Sequence, residues 1–220
     1  MTRFLRARTP GQKEARRQAI LAAAATLFEK KGFDGVSLNA IARRACVAKS
    51  NIYRYFESRE EIFLQLLLTE LEDFVGALER TLEPYAASDD IDTVAKILTA
   101  AAVRRPRLCE LLSVLTSVLE KNLSEATIRA LKTELHSLQT LRLGNSLHAA
   151  LPSLDPHACQ RLLLHLHVLI VGLWPLENKP PAVAKVLDDP QFASMRTDFA
   201  RDLEAGLVTV MRGLAAAPVA

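Results

Sequence analysis

The chain is poor in cysteine and glycine, and each scarcity removes a class of protein. Three cysteines in 220 residues, Cys46, Cys109 and Cys159, stand far apart without a C-x-x-C pair. That argues against a disulfide framework and a thiolate zinc site, and it points to a reducing, cytoplasmic compartment. Eight glycines and ten prolines are too few for a collagenous or low-complexity chain. The longest apolar stretch, Leu162 to Leu176, is interrupted by His165, His167 and Pro175 and falls short of the roughly 18 residues of a membrane span. A secretory leader is not expected: Arg16 and Arg17 precede an apolar run, but Glu29-Lys30-Lys31 closes it and patterned sequence continues. His165 and His167 are two apart and diverge by about 200° on a helix. His136, His148 and His157 lack a cysteine or carboxylate cluster at ligand spacing, so neither a metal nor a cofactor is expected. A Gly-rich phosphate loop, G-x-S-x-G and H-E-x-x-H are all absent, and no enzymatic activity is read here.

What is present is apolar mass and an uneven charge. Half the residues are hydrophobic and 24% are charged, a composition that folds. Residues 1–58 hold 12 Lys and Arg against 4 Asp and Glu, a net +8, whereas residues 59–220 hold 16 against 21, a net −5. A short basic segment beside a longer acidic one suggests a polyanion-binding module attached to a module with another task; a solvated basic face is the plainer reading.

Nearly every segment carries a helical period and none shows sustained strand alternation, so the expected fold is all-α. Residues 1–11 form a basic, flexible arm. Residues 12–58 are expected to form one module of three helices, and residues 59–220 a larger helical one. The first helix is expected over about Gln12 to Lys31, stopped by Gly32. Ser37 caps a short second helix before Leu38, Ile41, Ala42 and Ala45, with Val36 and Ile41 placed as a hydrophobic staple. A third helix spans roughly Lys49 to Phe56, and Ser58 caps a long fourth whose apolar stripe runs from Ile62 to Leu82. Further helices are expected at about 90–102, 106–121, 124–151, 155–177 and 196–216.

Two short helices behind a longer supporting one have the spacing of a helix-turn-helix. Leu38, Ile41, Ala42, Ala45, Val47, Ile52 and Phe56 read as its core, which leaves Lys49, Ser50, Asn51, Tyr53, Arg54 and Tyr55 outward, a set of donors and aromatics suited to phosphates and base edges. The pattern running from Ile20-Leu21 through Leu27-Phe28, Gly32-Phe33, Val36-Ser37-Leu38, Ile41-Ala42, Ala45, Val47 and Ile52-Tyr53 to Tyr55-Phe56, Arg59 and Ile62 resembles the N-terminal domain of TetR-family transcriptional regulators. The resemblance covers about 50 residues. It implies that Tyr53 and Tyr55 are the family's paired aromatics, either phosphate-contacting or packed, and that Arg43, Arg44 and Arg59 flank the DNA backbone or are solvated. Ser37 has two readings, helix cap and phosphate contact. Where the family usually has glycine in the turn this chain has Cys46, whose positive φ would cost on the order of 1 kcal/mol. A small buried thiol is the ordinary outcome for such a residue and a redox switch the other. Ala48 replaces a frequent serine or threonine and removes a cap.

The resemblance further implies a homodimer on a double-stranded, palindromic operator, released by a small effector, with no membrane partner. Its dimer bundle would take Leu162, Leu166, Leu169, Leu203, Leu207 and Val210; packing within one subunit is the other reading. The C-terminal segments carry few charges, so the effector is expected to be mainly hydrophobic, in a pocket lined by Leu111, Leu115, Leu169 and Trp174, although Trp174 fits core equally well; Arg104, Arg105 or Arg107 either meets an anionic group of the effector or belongs to a solvated helix-start cluster. The alternative function is an architectural DNA-binding protein of the same fold with no effector.

Overall fold

The computed structural model describes residues 9–115 and 123–216, and these divide into two units, one running to Leu67 with Val114–Glu125, the other Leu68–Ser113 with the chain from Ala126 onward. The described residues contain helices and no strand. The expected arm over 1–11 lies outside them as far as residue 8.

In the first unit, α1 (Pro10–Lys31) starts two residues before the sequence expectation. Pro10 occupies a first-turn position where its missing N–H costs nothing, and Thr9 caps: its hydroxyl accepts from Gln12 N and Gln12 Oε1 accepts from Thr9 N, each at 3.3 Å. Gly32, at φ 62°, ends the helix and donates to Phe28 O at 2.8 Å. A Cβ on Gly35 would sit 2.4 Å from Lys31 O, so only glycine fits that loop. α2 (Leu38–Arg44) is capped by Ser37, whose Oγ accepts from Ala40 N at 3.2 Å. α3 is a single regular turn, Lys49–Ile52, and Tyr53 to Tyr55 continue as tight turns instead of the longer helix expected to Phe56. Its N-cap, Ala48, supplies no side-chain hydrogen bond. Ile20, Phe28, Phe33, Ile41, Ile52, Phe56 and Phe63 form the core, with Phe63 against the rings of Phe28 (5.4 Å) and Phe33 (5.0 Å).

α4 (Arg59–Leu82) is one helix whose first residues belong to the first unit and whose remainder belongs to the second. The chain continues with a 3₁₀ turn (Glu83–Tyr85), α5 (Ile91–Val103), α6 (Pro106–Leu115), α7 (Glu125–Leu135), a π-helical segment (His136–Leu143), α8 (Gly144–Ala150), α9 (Pro156–Glu177), α10 (Pro181–Leu187), a second 3₁₀ stretch (Pro190–Met195) and α11 (Phe199–Ala216), all in the second unit except Val114–Leu115 and Glu125. α11 packs on α9 and α5, and α8 on α9. Gly206 opens space for Leu169: an added Cβ would lie 3.1 Å from Leu169 Cδ1. The expected helix over 124–151 is present as three consecutive helical pieces, and α10 was not anticipated because seven residues between prolines present no full apolar stripe.

α9 is long and apolar enough to cross a membrane by length and composition, with a mean hydropathy of 1.4 over its best window. Its continuous apolar run in the sequence is short because His165 and His167 interrupt it. Cys159, Leu162, Leu163, Leu166 and Ile170 are buried in the unit's core, yet only 22% of that window is covered by the chain itself.

Candidate DNA interface and effector cavity

The outward side of α2 and α3 is cationic and unengaged. Ser37, Arg43, Arg44, Lys49, Ser50, Asn51, Tyr53 and Arg54 are all exposed, Tyr53 by 55%, and Tyr55 is half-buried. Among the described residues, Arg43, Arg44, Lys49 and Arg54 form no ion pair, so four charges face solvent without an acidic partner. Beneath them Ile41, Ala42 and Ile52 are buried, and Val47 N donates to Ala42 O at 3.0 Å, which locks α3 against α2. Ser37 spends one lone pair on its cap and keeps its exposure, so both of its readings are compatible with its position.

Arg59 has a different place from the rest. Its guanidinium lies 4.1 Å from the centre of the Phe33 ring, donates to Val36 O at 2.9 Å and pairs with Glu60 at 3.2 Å. Only 25% of its side chain is exposed. It is a clamp between the start of α4 and the loop before α2, because the ring and the carbonyl hold it more rigidly than water would. Cys46 occupies the turn at φ 53° with its thiol exposed, not buried as the ordinary reading had it. Burial instead falls on the other two thiols and pushes Cys109 up to about 12 and Cys159 up to about 11.

In the second unit a narrow apolar cavity of about 30 Å³ lies between α4, α6, the π-helical segment and α9. Leu71, Phe74, Val75, Leu112, Leu143, Leu163, Leu166 and Ile170 make its walls together with Gln139 and His167, and the surface they present to it is almost wholly apolar. That volume holds about one water. Gln139 and Leu143 reach it from the π-helical turns, where Gly144 N donates to Gln139 O one residue further back than in an α-helix. Neither residue was singled out in the sequence, since a π-helix leaves no periodic signature over eight residues.

The residues expected to line an effector pocket are not brought together there. Leu111 is fully buried elsewhere in the core, Leu169 packs toward Gly206, and Trp174 meets Phe199 edge to face at 5.2 Å. The side chain of Leu115 lies outside the described residues. The expected dimer residues also divide: Leu162, Leu166, Leu203 and Leu207 are buried inside the chain, which is the intrasubunit reading, whereas Leu169 and Val210 are half-buried. The 3.6 period identified the apolar faces of α9 and α11 but not which of them the chain covers itself. The exposed apolar residues of α9 are Leu164 (60%), Val168 (54%) and Leu176 (53%).

An all-α chain with an N-terminal helix-turn-helix and a helical second unit is the architecture of a ligand-sensing transcriptional regulator. Residues 20–66 match the family model for bacterial regulatory proteins of the tetR family, and residues 68–218 match the Tetracyclin repressor-like C-terminal domain. The chain belongs to the TetR family of transcriptional regulators. It is 36% identical over 72 residues to the HTH-type transcriptional regulator RutR of Escherichia coli, a match covering 33% of this chain and 34% of that protein. It is 29% identical over 91 residues to the uncharacterized HTH-type transcriptional regulator YfiR of Bacillus subtilis, covering 41% of this chain and 44% of the other. The chain thus spans less than half the length of these curated relatives. In fold it is similar to Thermus thermophilus FadR, a TetR-family repressor solved in complex with lauroyl-CoA, with a TM-score of 0.61 at 18% identity over 93% of this chain and 100% of the other.

Proposed function

We propose that this chain is a homodimeric, cytoplasmic repressor that binds a palindromic operator and is released from it by a small, mainly hydrophobic effector. The observation that carries the DNA half of this reading is the unpaired cationic face of Arg43, Arg44, Lys49 and Arg54, with Ser37, Ser50, Asn51, Tyr53 and Tyr55 beside it. Phosphates are the counter-charges such a face lacks, and side-chain amide and hydroxyl groups read base edges. Arg59 supports this face from below by fixing the loop that presents Ser37.

The dimer reading rests on α9. Leu164, Val168 and Leu176 leave an apolar face that water penalises, and a second copy of the same helix is the cover that closes under two-fold symmetry. Two recognition elements then stand a fixed distance apart, about 34 Å or a multiple for successive grooves.

The effector half rests on the narrow cavity. Its almost wholly apolar lining accepts an apolar group, and FadR of Thermus thermophilus, of the same fold, was solved with lauroyl-CoA. At about 30 Å³ the cavity admits no such group unless its walls move. A ligand would therefore select an expanded state, and its differential affinity for that state is what shifts DNA binding. Leu71, Phe74 and Val75 of α4 are cavity walls, and α4, about 36 Å long at 1.5 Å per residue, carries any tilt to the first unit.

Selection from a random duplex pool, followed by anisotropy titration of the enriched duplex, tests the reading. An inverted repeat should emerge, with an affinity that falls about 10³-fold or more between 50 and 200 mM salt if six or more phosphates are met. No enriched motif, or an affinity indifferent to salt, refutes it. Adding lauroyl-CoA or laurate should release the duplex, and release that survives filling the cavity with Leu163→Trp would refute the effector site.

A further inference from the structure

A second, larger cavity in the C-terminal unit shares no lining residue with the narrow one. It is a groove of about 610 Å³ between the second half of α4 and one face of α5, lined by Ala77, Leu78 and Thr81 of α4, Tyr85 of the 3₁₀ turn, and Thr93, Lys96, Ile97, Ala100, Ala101, Arg104 and Arg105. A volume of this size is in the range of small-molecule sites, about 300–1,000 Å³.

Its charge is one-sided. Residues 59–220 carry a net −5, yet the groove wall contains three cations and no carboxylate. Arg104 is exposed and forms no ion pair or side-chain hydrogen bond among the described residues. Arg105 is already positioned: it donates to Ala101 O at 3.1 Å and to Asp73 O at 3.3 Å, with its guanidinium 5.6 Å from the centre of the Phe74 ring. Those two bonds leave three of its five N–H groups for another acceptor. Lys96 stands two helical turns from Arg104 on the same face, and the one carboxylate that it influences, Asp90, is outside the wall. Arg107, by contrast, is committed to Glu70 and takes no part.

The floor between these cations is apolar and low. Ala77, Ala100 and Ala101 leave the groove open where longer side chains would fill it, and Leu78 and Ile97 line it. Hydroxyls of Thr81, Thr93 and Tyr85 close the end opposite the arginines. We propose that this groove is a binding site for an amphipathic anion, with a carboxylate or phosphate head held by Arg104 and Arg105 and an apolar body along the alanine floor. Guanidinium groups match both head groups bidentately, and the half-apolar floor gives the body a reason to leave water. This site is separate from the narrow cavity proposed for the effector, with which it shares no lining residue.

Calorimetric titration of the full chain with octyl phosphate and with octanoate, both below their micellar concentrations, tests this, with octanol as the neutral control. With the narrow cavity filled by Leu163→Trp, one molecule per chain of either anion should bind at least tenfold more tightly than octanol, and the groove variants are read in that same background. Lys96→Ser with Arg104→Ser should weaken that binding at least tenfold, and so should Ala100→Trp, which fills the groove from an exposed position without entering the core. Both variants should retain wild-type circular dichroism and operator affinity, so a loss of amphiphile binding does not report misfolding. Equal affinity for octanol and the anions overturns the proposal, as does unchanged anion binding in both variants or no binding by either anion at 1 mM. Operator release by laurate in the groove variants without Leu163→Trp reads the narrow cavity alone, so the two proposals fail separately.

Discussion

Cys46 is a residue at odds with its backbone. A Cβ at φ 53° crowds the adjoining carbonyl, so Cys46→Gly is expected to stabilise the chain by up to about 1 kcal/mol, read as a higher denaturation midpoint; an unchanged or lower midpoint refutes the strain. The three thiols should also separate kinetically. Cys46 is exposed while burial raises the pKa of Cys109 and Cys159, so iodoacetamide at pH 8 should label one thiol per native chain and three after denaturation. Two thiols labelling rapidly in the native chain would contradict the burial. Sequence spacing located this turn, and the missing glycine announced the strain. The thiol's exposure follows from how the turn folds back on α2, where Cys46 N donates to Arg43 O and Val47 N to Ala42 O, and that is invisible in a linear pattern.

At the scale of elements, α3 and α4 make distinct predictions. Lys49→Ala, Arg54→Ala and Tyr53→Ala remove exposed side chains, so each should weaken operator binding about tenfold with the fold intact, and the two charge losses should each lower the salt slope by about one. Arg59→Ala should instead lower the melting temperature, because it empties a site over Phe33 and leaves Val36 O without its donor. If Arg59→Ala weakens DNA binding at unchanged stability, the clamp assignment is wrong. On α4, Arg142 holds Glu79 below the ordinary carboxylate range, chiefly by its hydrogen bonds at 3.0 and 2.5 Å. A depressed folded pKa means that the pair's stabilisation is complete above the usual glutamate pKa and is lost as pH falls through the lowered value. Burial raises Glu61 and Glu110, which act in the opposite direction. Glu79→Gln should therefore flatten the acid limb of the stability profile between pH 5 and 3 relative to wild type, as denaturant titrations at each pH will show. Helix starts and stops were legible where a cap, a proline or Gly32 stood; the end of α3 and the π-helical turns were not, because they depend on packing and not on local preference.

For the whole molecule, the decisive prediction concerns the face that α9 leaves open. Val168→Glu with Leu164→Glu should yield folded monomers that lose operator binding, whereas Leu207→Glu should unfold the second unit, since Leu207 is fully buried in the chain. Sedimentation and circular dichroism distinguish the two; a double glutamate variant that remains dimeric would refute this interface. The amino-acid sequence alone determined the all-α class, the helix-turn-helix and the basic face of Arg43, Arg44, Lys49 and Arg54, because helical period, caps and charge are local properties written in consecutive residues. Tertiary structure decided that Arg59 is a clamp, that Leu162, Leu166, Leu203 and Leu207 are core, and that Trp174 lies edge to face against Phe199. It also placed Gln139 and His167 at the narrow cavity and Lys96, Arg104 and Arg105 along one groove. A helix apolar around most of its circumference has several faces that burial would suit equally. Which face meets its own chain is fixed only when distant helices pack and shape complementarity selects among them.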